Sequence, residues 1–168
     1  EDPGDDAPAR ARVGVRQPYV AFLGTIEPRK DVPTLIRAFD RLADADPHLI
    51  LVVAGGRGWG LDAVNRELAA ARHRRRVRML GYVAEDDMPA LLRGAAAVAY
   101  PSLEEGFGLP VLEALACGVP VVTTSGTVME EVAGGAALLA PPGDAVRLAE
   151  AIEAAVPGDP DRRRLGLE

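Results

Sequence analysis

Short, largely unbroken apolar runs alternate with amphipathic stretches along most of this chain. The runs occupy residues 19–23, 49–54, 77–80, 96–100, 119–123 and 136–139, lengths that suit strands rather than helices. Helical patterns with start signals lie between them: Asp31 ahead of Val32 and Pro33, Glu85 ahead of residues 88–93, Pro110 in a first turn, and Asp144 ahead of residues 145–156. An Asp side chain accepts from the free amides of a first turn, and Pro has no amide to leave unbonded there. Strands apolar on both faces, each followed by a helix, predict a parallel sheet covered on both sides. The expected fold class is therefore α/β, a doubly wound Rossmann-like parallel sheet of about six strands with helices on both faces. Ligands of such sheets bind outside the carboxyl ends of the strands. Chemistry is thus to be sought in the loops after Leu23, Ala54, Leu80, Tyr100 and Thr123.

A length of 168 residues fits one core. Residues 1–17 carry charge, Pro and Gly without periodicity and read as a tail or linker remnant. The domain then spans 18–156, with 157–168 as a C-terminal tail. Lys and Arg number 19 against 25 Asp and Glu, a formal net charge of -6, which argues against a surface made for nucleic acid and makes any anion site local. A single cysteine, Cys117, allows no internal disulfide. No apolar run approaches the roughly 18 residues of a membrane-spanning helix.

The densest chemistry follows the fourth run, where residues 101–114 read PSLEEGFGLPVLEA. Gly106 and Gly108 let the backbone approach a ligand, and Pro110 in the first turn leaves the preceding amides at the positive end of a helix dipole. Glu105 ends the loop and Glu113 begins the helix, so both can face one ligand; carboxylates suit paired hydroxyls that both donate. Glu113 can equally be a carboxylate that merely favours its helix, and Glu105 a solvated one. After the first run, residues 24–31 read GTIEPRKD. Arg29 and Lys30 place two cations ahead of a helix, where they can neutralise a departing diphosphate or simply be solvated.

Taken together and in order, these pieces resemble the C-terminal domain of family 4 glycosyltransferases, with the signature PSLEEGFGLPVLEALACGVPVVTT followed by EVAGGAALLAPPGD. The resemblance covers about residues 19–156. It implies one half of a GT-B fold that binds a nucleoside-diphosphate sugar for retaining transfer, with no metal or other cofactor. It also implies a separate N-terminal domain for the acceptor, a cytoplasmic location, and room for peripheral contact of the full-length protein with the inner face of a membrane. By the same resemblance Glu105 contacts the donor sugar, Glu113 the ribose hydroxyls and Lys30 the diphosphate, with Arg29 beside it. The amides of Gly106, Phe107, Gly108 and Leu109 approach sugar and diphosphate, Gly24 opens the first loop, and Gly81, Tyr82 and Val83 lie beside the base. Many family members have an arginine immediately after the loop glycine; this chain has Thr25. The EPRK form of the loop is similar to a mannosyltransferase-like subset, which implies GDP-mannose. A non-catalytic nucleotide-binding or sugar-nucleotide-binding module is the alternative, and a nicotinamide dehydrogenase is disfavoured because no glycine-rich dinucleotide turn follows the first run.

Other residues have blander readings. The run of Arg72 and 73–76 is expected to be a solvated helix terminus, and the Asp44/Asp46 and Asp159/Asp161 pairs solvated faces rather than metal ligands. His48 and His73 are expected to be structural or surface residues. Cys117 is expected to be small and buried, Trp59 to pack, and the glycines at 55, 56, 58 and 60 to border the donor cleft.

Overall fold

The computed structural model describes residues 11, 14–15 and 18–156. Six strands form one sheet: β1 (Tyr19–Leu23), β2 (Ile50–Ala54), β3 (Val77–Gly81), β4 (Ala97–Tyr100), β5 (Val121–Thr124) and β6 (Ala137–Ala140). Their order is β3-β2-β1-β4-β5-β6 and every pairing is parallel. β1, β2, β4 and β5 are buried at every position. The edge strands are not, which is why Arg78 and Met79 can stand in β3 and face water.

Among the described residues five helices connect the strands, α1 (Val32–Leu42), α2 (Leu61–Ala70), α3 (Met88–Arg93), α4 (Leu109–Ala116) and α5 (Val128–Ala133), and a sixth, α6 (Ala145–Ala155), follows β6. α1 packs against α2 and α6, and α4 against α5, the two-sided covering that right-handed crossovers dictate when strand order reverses midway. Asp31 caps α1 by accepting from Thr34 N at 3.3 Å, and Asp144 caps α6 by accepting from Val146 N and Arg147 N, both at 3.0 Å.

The fifth strand begins at Val121, two residues later than its apolar run. Val119 N still donates back to Ala114 O (3.2 Å) at the end of α4, and Pro120 has no amide to give the ladder. Val15, within the stretch read as a tail, is only 4% exposed and joins the core. Residues 157–168, including Asp159 and Asp161, lie outside the described residues.

The arginine run does not terminate a helix as expected, because α2 ends at Ala70. Three of its five residues tie the chain after α2 to the end of α1 instead. Arg76 donates to Asp46 O at 2.6 Å and to Ala43 O, with its guanidinium 5.9 Å from the Phe39 ring centroid. Arg72 pairs with Asp40 (3.2 Å) and Asp44 (2.8 Å), and His73 Nε2 lies 2.8 Å from Asp44 Oδ1. Asp46 caps the turn before β2 by accepting from His48 N and Leu49 N at 2.8 and 3.2 Å. The Asp44/Asp46 spacing is therefore occupied by structural bonds, and no group of three or more His, Cys, Asp or Glu among the described residues could hold a metal. Among the same residues no helix is long and apolar enough to cross a membrane. Two further expectations are corrected. Trp59 does not pack but stands 69% exposed on a loop held by glycines, and Cys117 is half-buried at the end of α4 rather than enclosed.

One glycine is fixed by close approach of backbone to backbone. A Cβ on Gly55 would lie 1.9 Å from Gly24 O, with φ at +155°. Gly55→Ala is expected to cost about 2 kcal/mol, read as a lower urea midpoint with unchanged slope. An unchanged midpoint would mean that the loops after β1 and β2 separate freely.

Candidate functional site

Strand order reverses between β1 and β4, the place where open α/β sheets form their ligand crevice. These two strands pair only through Val20↔Ala97 and Ala21↔Val98. Beyond that ladder the rings of Phe22 and Tyr100 stack with centroids 5.6 Å apart.

The loop after β1 closes into a 3-10 turn, Pro28–Lys30, and Asp31 at φ 48° swings the chain into α1. Lys30 is thereby turned inward until it is 5% exposed. Its Nζ donates to Tyr100 OH and Glu105 Oε1 and lies 4.8 Å from the Tyr100 ring centroid. Tyr100 OH donates in turn to Glu105 Oε1 at 2.9 Å, and Ser102 Oγ reaches the same oxygen at 3.0 Å. On the outer side, Arg29 Nη1 pairs with Glu105 Oε2 at 2.8 Å and Arg29 Nε with Glu27 Oε2 at 2.8 Å. Backbone bonds lock the two loops together, Leu103 N to Arg29 O at 2.7 Å and Ser102 Oγ to the same carbonyl at 2.9 Å.

Burial alone would raise the pKa of Glu105, but hydrogen bonds from Lys30, Arg29 and Tyr100 outweigh it and hold the carboxyl below its usual range. The Tyr100 phenol is pushed well above its usual range by burial and then by the Glu105 charge, so it remains a neutral donor. The hydrogen bond to Glu105 holds the Arg29 guanidinium still more firmly charged. Glu27, Arg29, Lys30 and Glu105 sum to zero charge. An anion arriving here competes with two carboxylates for the cations.

Glu105, Lys30 and Arg29 are thus brought together, with Gly24 beside them: a Cβ there would lie 3.7 Å from Tyr100 OH and 4.0 Å from Lys30 Cε. The other candidates are not drawn into this cluster. Glu113 is exposed on α4 and its side chain makes no hydrogen bond or ion pair among the described residues, and Thr25 is exposed. Gly106 and Phe107 are exposed on the β4–α4 loop and Leu109 is exposed as the first residue of α4, while Gly108, at φ +78°, is buried as the cap that precedes it. Tyr82 is 78% exposed, but Val83 is 5% exposed, so its side chain serves the core and only its backbone can meet a ligand. Tyr100, Ser102 and Glu27 were not singled out from the sequence. The available signal was a tyrosine and a serine bracketing the carboxyl end of a strand that is otherwise apolar.

The model of the family described as "Glycosyl transferases group 1" matches residues 5–167. The O-antigen chain mannosyltransferase B of Escherichia coli is 41% identical over 129 residues, which are 76% of this chain and 34% of that protein. A D-inositol 3-phosphate glycosyltransferase of Salinispora arenicola is 46% identical over 127 residues, 70% of this chain and 28% of that protein. The chain therefore spans about a third of the length of these curated relatives. Among solved structures, Anabaena HepE in complex with UDP and glucose superposes with a TM-score of 0.82 at 26% identity, covering 100% of this chain and 46% of that one.

Proposed function

Because the chain belongs to the group 1 glycosyl transferases, we propose that it holds a nucleoside-diphosphate sugar at the crevice between β1 and β4 for transfer of the sugar to an acceptor. The observation that carries this reading is the buried Lys30 held against Tyr100 and Glu105 at the switch point. A leaving diphosphate gains negative charge as the glycosidic bond breaks, and preplaced cations stabilise that charge without reorganising solvent. Lys30 and Arg29 fill this role, meeting the phosphate oxygens in exchange for part of their contact with Glu105. Glu105, held ionised, then accepts from sugar hydroxyls, and the exposed amides of the β4–α4 loop approach the sugar and diphosphate. Glu113, free on α4, accepts from the ribose hydroxyls. Retention of anomeric configuration, the absence of a metal requirement and an N-terminal partner domain for the acceptor complete the reading. Their support is the likeness of the motif to family 4 enzymes, together with the length of relatives that this chain leaves uncovered.

Calorimetric titration of the 168-residue chain with UDP, GDP, ADP and NAD tests the proposal. Saturable binding of one nucleoside diphosphate, with none of NAD, is expected. Glu113→Ala should weaken that binding about tenfold, since two hydroxyls lose a charged acceptor. Preferential binding of NAD, or indifference to the Glu113 substitution, would overturn the assignment.

A further inference from the structure

Tyr100 ends β4 with its side chain fully buried. Its ring stacks on Phe22 of β1 with centroids 5.6 Å apart, and Thr123 Oγ1 on β5 donates to its carbonyl at 2.9 Å. Three adjacent strands thus fix where the phenol stands. The hydroxyl meets two charged groups, Lys30 Nζ and Glu105 Oε1. An ammonium has no lone pair, so the phenol accepts from Lys30 and its one proton is left for Glu105. Ser102 Oγ is no substitute, because its single proton has three acceptors within 3.0 Å, Arg29 O, Glu104 O and Glu105 Oε1.

We propose that Tyr100 is a positioning residue for diphosphate binding: its hydroxyl pins the Lys30 ammonium at the crevice and keeps Glu105 bonded while Lys30 turns from that carboxylate to a phosphate. This rests on the proposed reading of the chain as a nucleoside-diphosphate binder. Of the three ammonium donors, one goes to Tyr100 and one to Glu105, which leaves the third for an arriving anion. A phosphate that also draws the second donor takes it from Glu105. Without the phenol, that exchange would leave the lysine with no anchor in the core and the inner carboxylate oxygen with only the shared proton of Ser102. With it, Lys30 keeps an acceptor that is neutral and so does not rival the phosphate as a carboxylate does. Burial and the Glu105 charge hold the phenol protonated, so its proton stays on Glu105 Oε1 throughout. Glu105 remains ionised and oriented for sugar hydroxyls.

Tyr100→Phe keeps the ring and removes only the hydroxyl. Lys30 is the chain's only lysine, so heteronuclear NMR of a chain grown on nitrogen-labelled lysine observes one side-chain ammonium. In the wild type that signal should shift on addition of whichever of UDP, GDP and ADP binds. In Tyr100→Phe it should be broadened by faster exchange with water. Calorimetric affinity for the same diphosphate should fall about tenfold, as for a lost hydrogen bond to a charged group, while urea unfolding stays cooperative. A Tyr100→Phe chain that binds as the wild type does, or that loses affinity with its ammonium signal unchanged, would overturn the positioning role and leave the proposed function standing. So would a variant with no cooperative urea transition, which would make the hydroxyl a condition of folding. Failure of the wild type to bind any of the three diphosphates would overturn both.

Discussion

Lys30→Ala is expected to remove about 3 kcal/mol of stability and to weaken nucleoside-diphosphate binding by more than about a hundredfold. Two different physical effects produce these losses. Stability falls because Glu105, whose side chain is 10% exposed, loses its inner partner while the Tyr100 hydroxyl beside it loses a donor. Arg29 remains on the outer carboxylate oxygen, so the carboxylate is not left wholly uncompensated. Affinity falls because the cation that faces the crevice from inside the core is gone, and Arg29, committed to both Glu105 and Glu27, cannot replace it without breaking two ion pairs. The double variant Lys30→Met/Glu105→Leu separates the effects. Exchanging a buried pair for apolar groups of similar size is often neutral, so urea denaturation should show stability recovered to within about 1 kcal/mol of wild type, whereas calorimetry should show binding still lost. Recovery of binding in the double variant would mean that Lys30 merely balances Glu105 and that the diphosphate is held elsewhere.

Much of this arrangement could be read from the sequence because it depends on local signals. The six apolar runs became six strands, since each run is too short for a helix and each lies between turn residues. The four helices announced by Asp31, Glu85, Pro110 and Asp144 all formed. α2 and α5 had no such announcement: Gly60 and Thr127 precede them without a side-chain cap, and their existence rests on the crossovers the sheet demands. Long-range partnership was the less legible part. That Arg29 and Lys30 converge on Glu105 depends on β1 and β4 being neighbours although 73 residues separate the two strand ends, Leu23 and Ala97 being the nearer ones in sequence. Nothing in the local pattern of residues 24–31 or 101–108 shows that they neutralise one another. The same limit hid Tyr100, which reads as a strand residue until Lys30 is folded over its ring. It also misplaced the role of Arg72 and Arg76, whose partners lie in the last turn of α1 and the turn that follows it, about 30 residues earlier in the chain.

Lowering the pH should expose this cluster as an acid-sensitive joint. The carboxyl of Glu105 is held below its usual value near 4.5 in the folded chain, burial being outweighed by Lys30, Arg29 and Tyr100. In the interval between the folded and the unfolded values the unfolded state binds more protons, so stability rises with pH there and falls as pH drops through it. The contribution of Glu105 is therefore fully present above about pH 5 and is lost progressively below the usual carboxylate value. Once Glu105 is protonated, the buried Lys30 loses its carboxylate partner and Arg29 keeps only Glu27, a cost on the order of 3 kcal/mol. Asp40 and Asp44 titrate in the same direction. Burial opposes but does not cancel the hydrogen bonds that His73 and Arg72 give Asp40, and the exposed Asp44 is held down by the His73 and Arg72 side chains. The wild-type urea midpoint should thus fall steeply from pH 5 to pH 3. In Lys30→Met/Glu105→Leu the Glu105 part should be gone, giving a visibly shallower fall over the same range. Parallel pH profiles for the two chains would show that Glu105 titrates alike folded and unfolded, and the account of a carboxylate clamped between two cations would have to be abandoned.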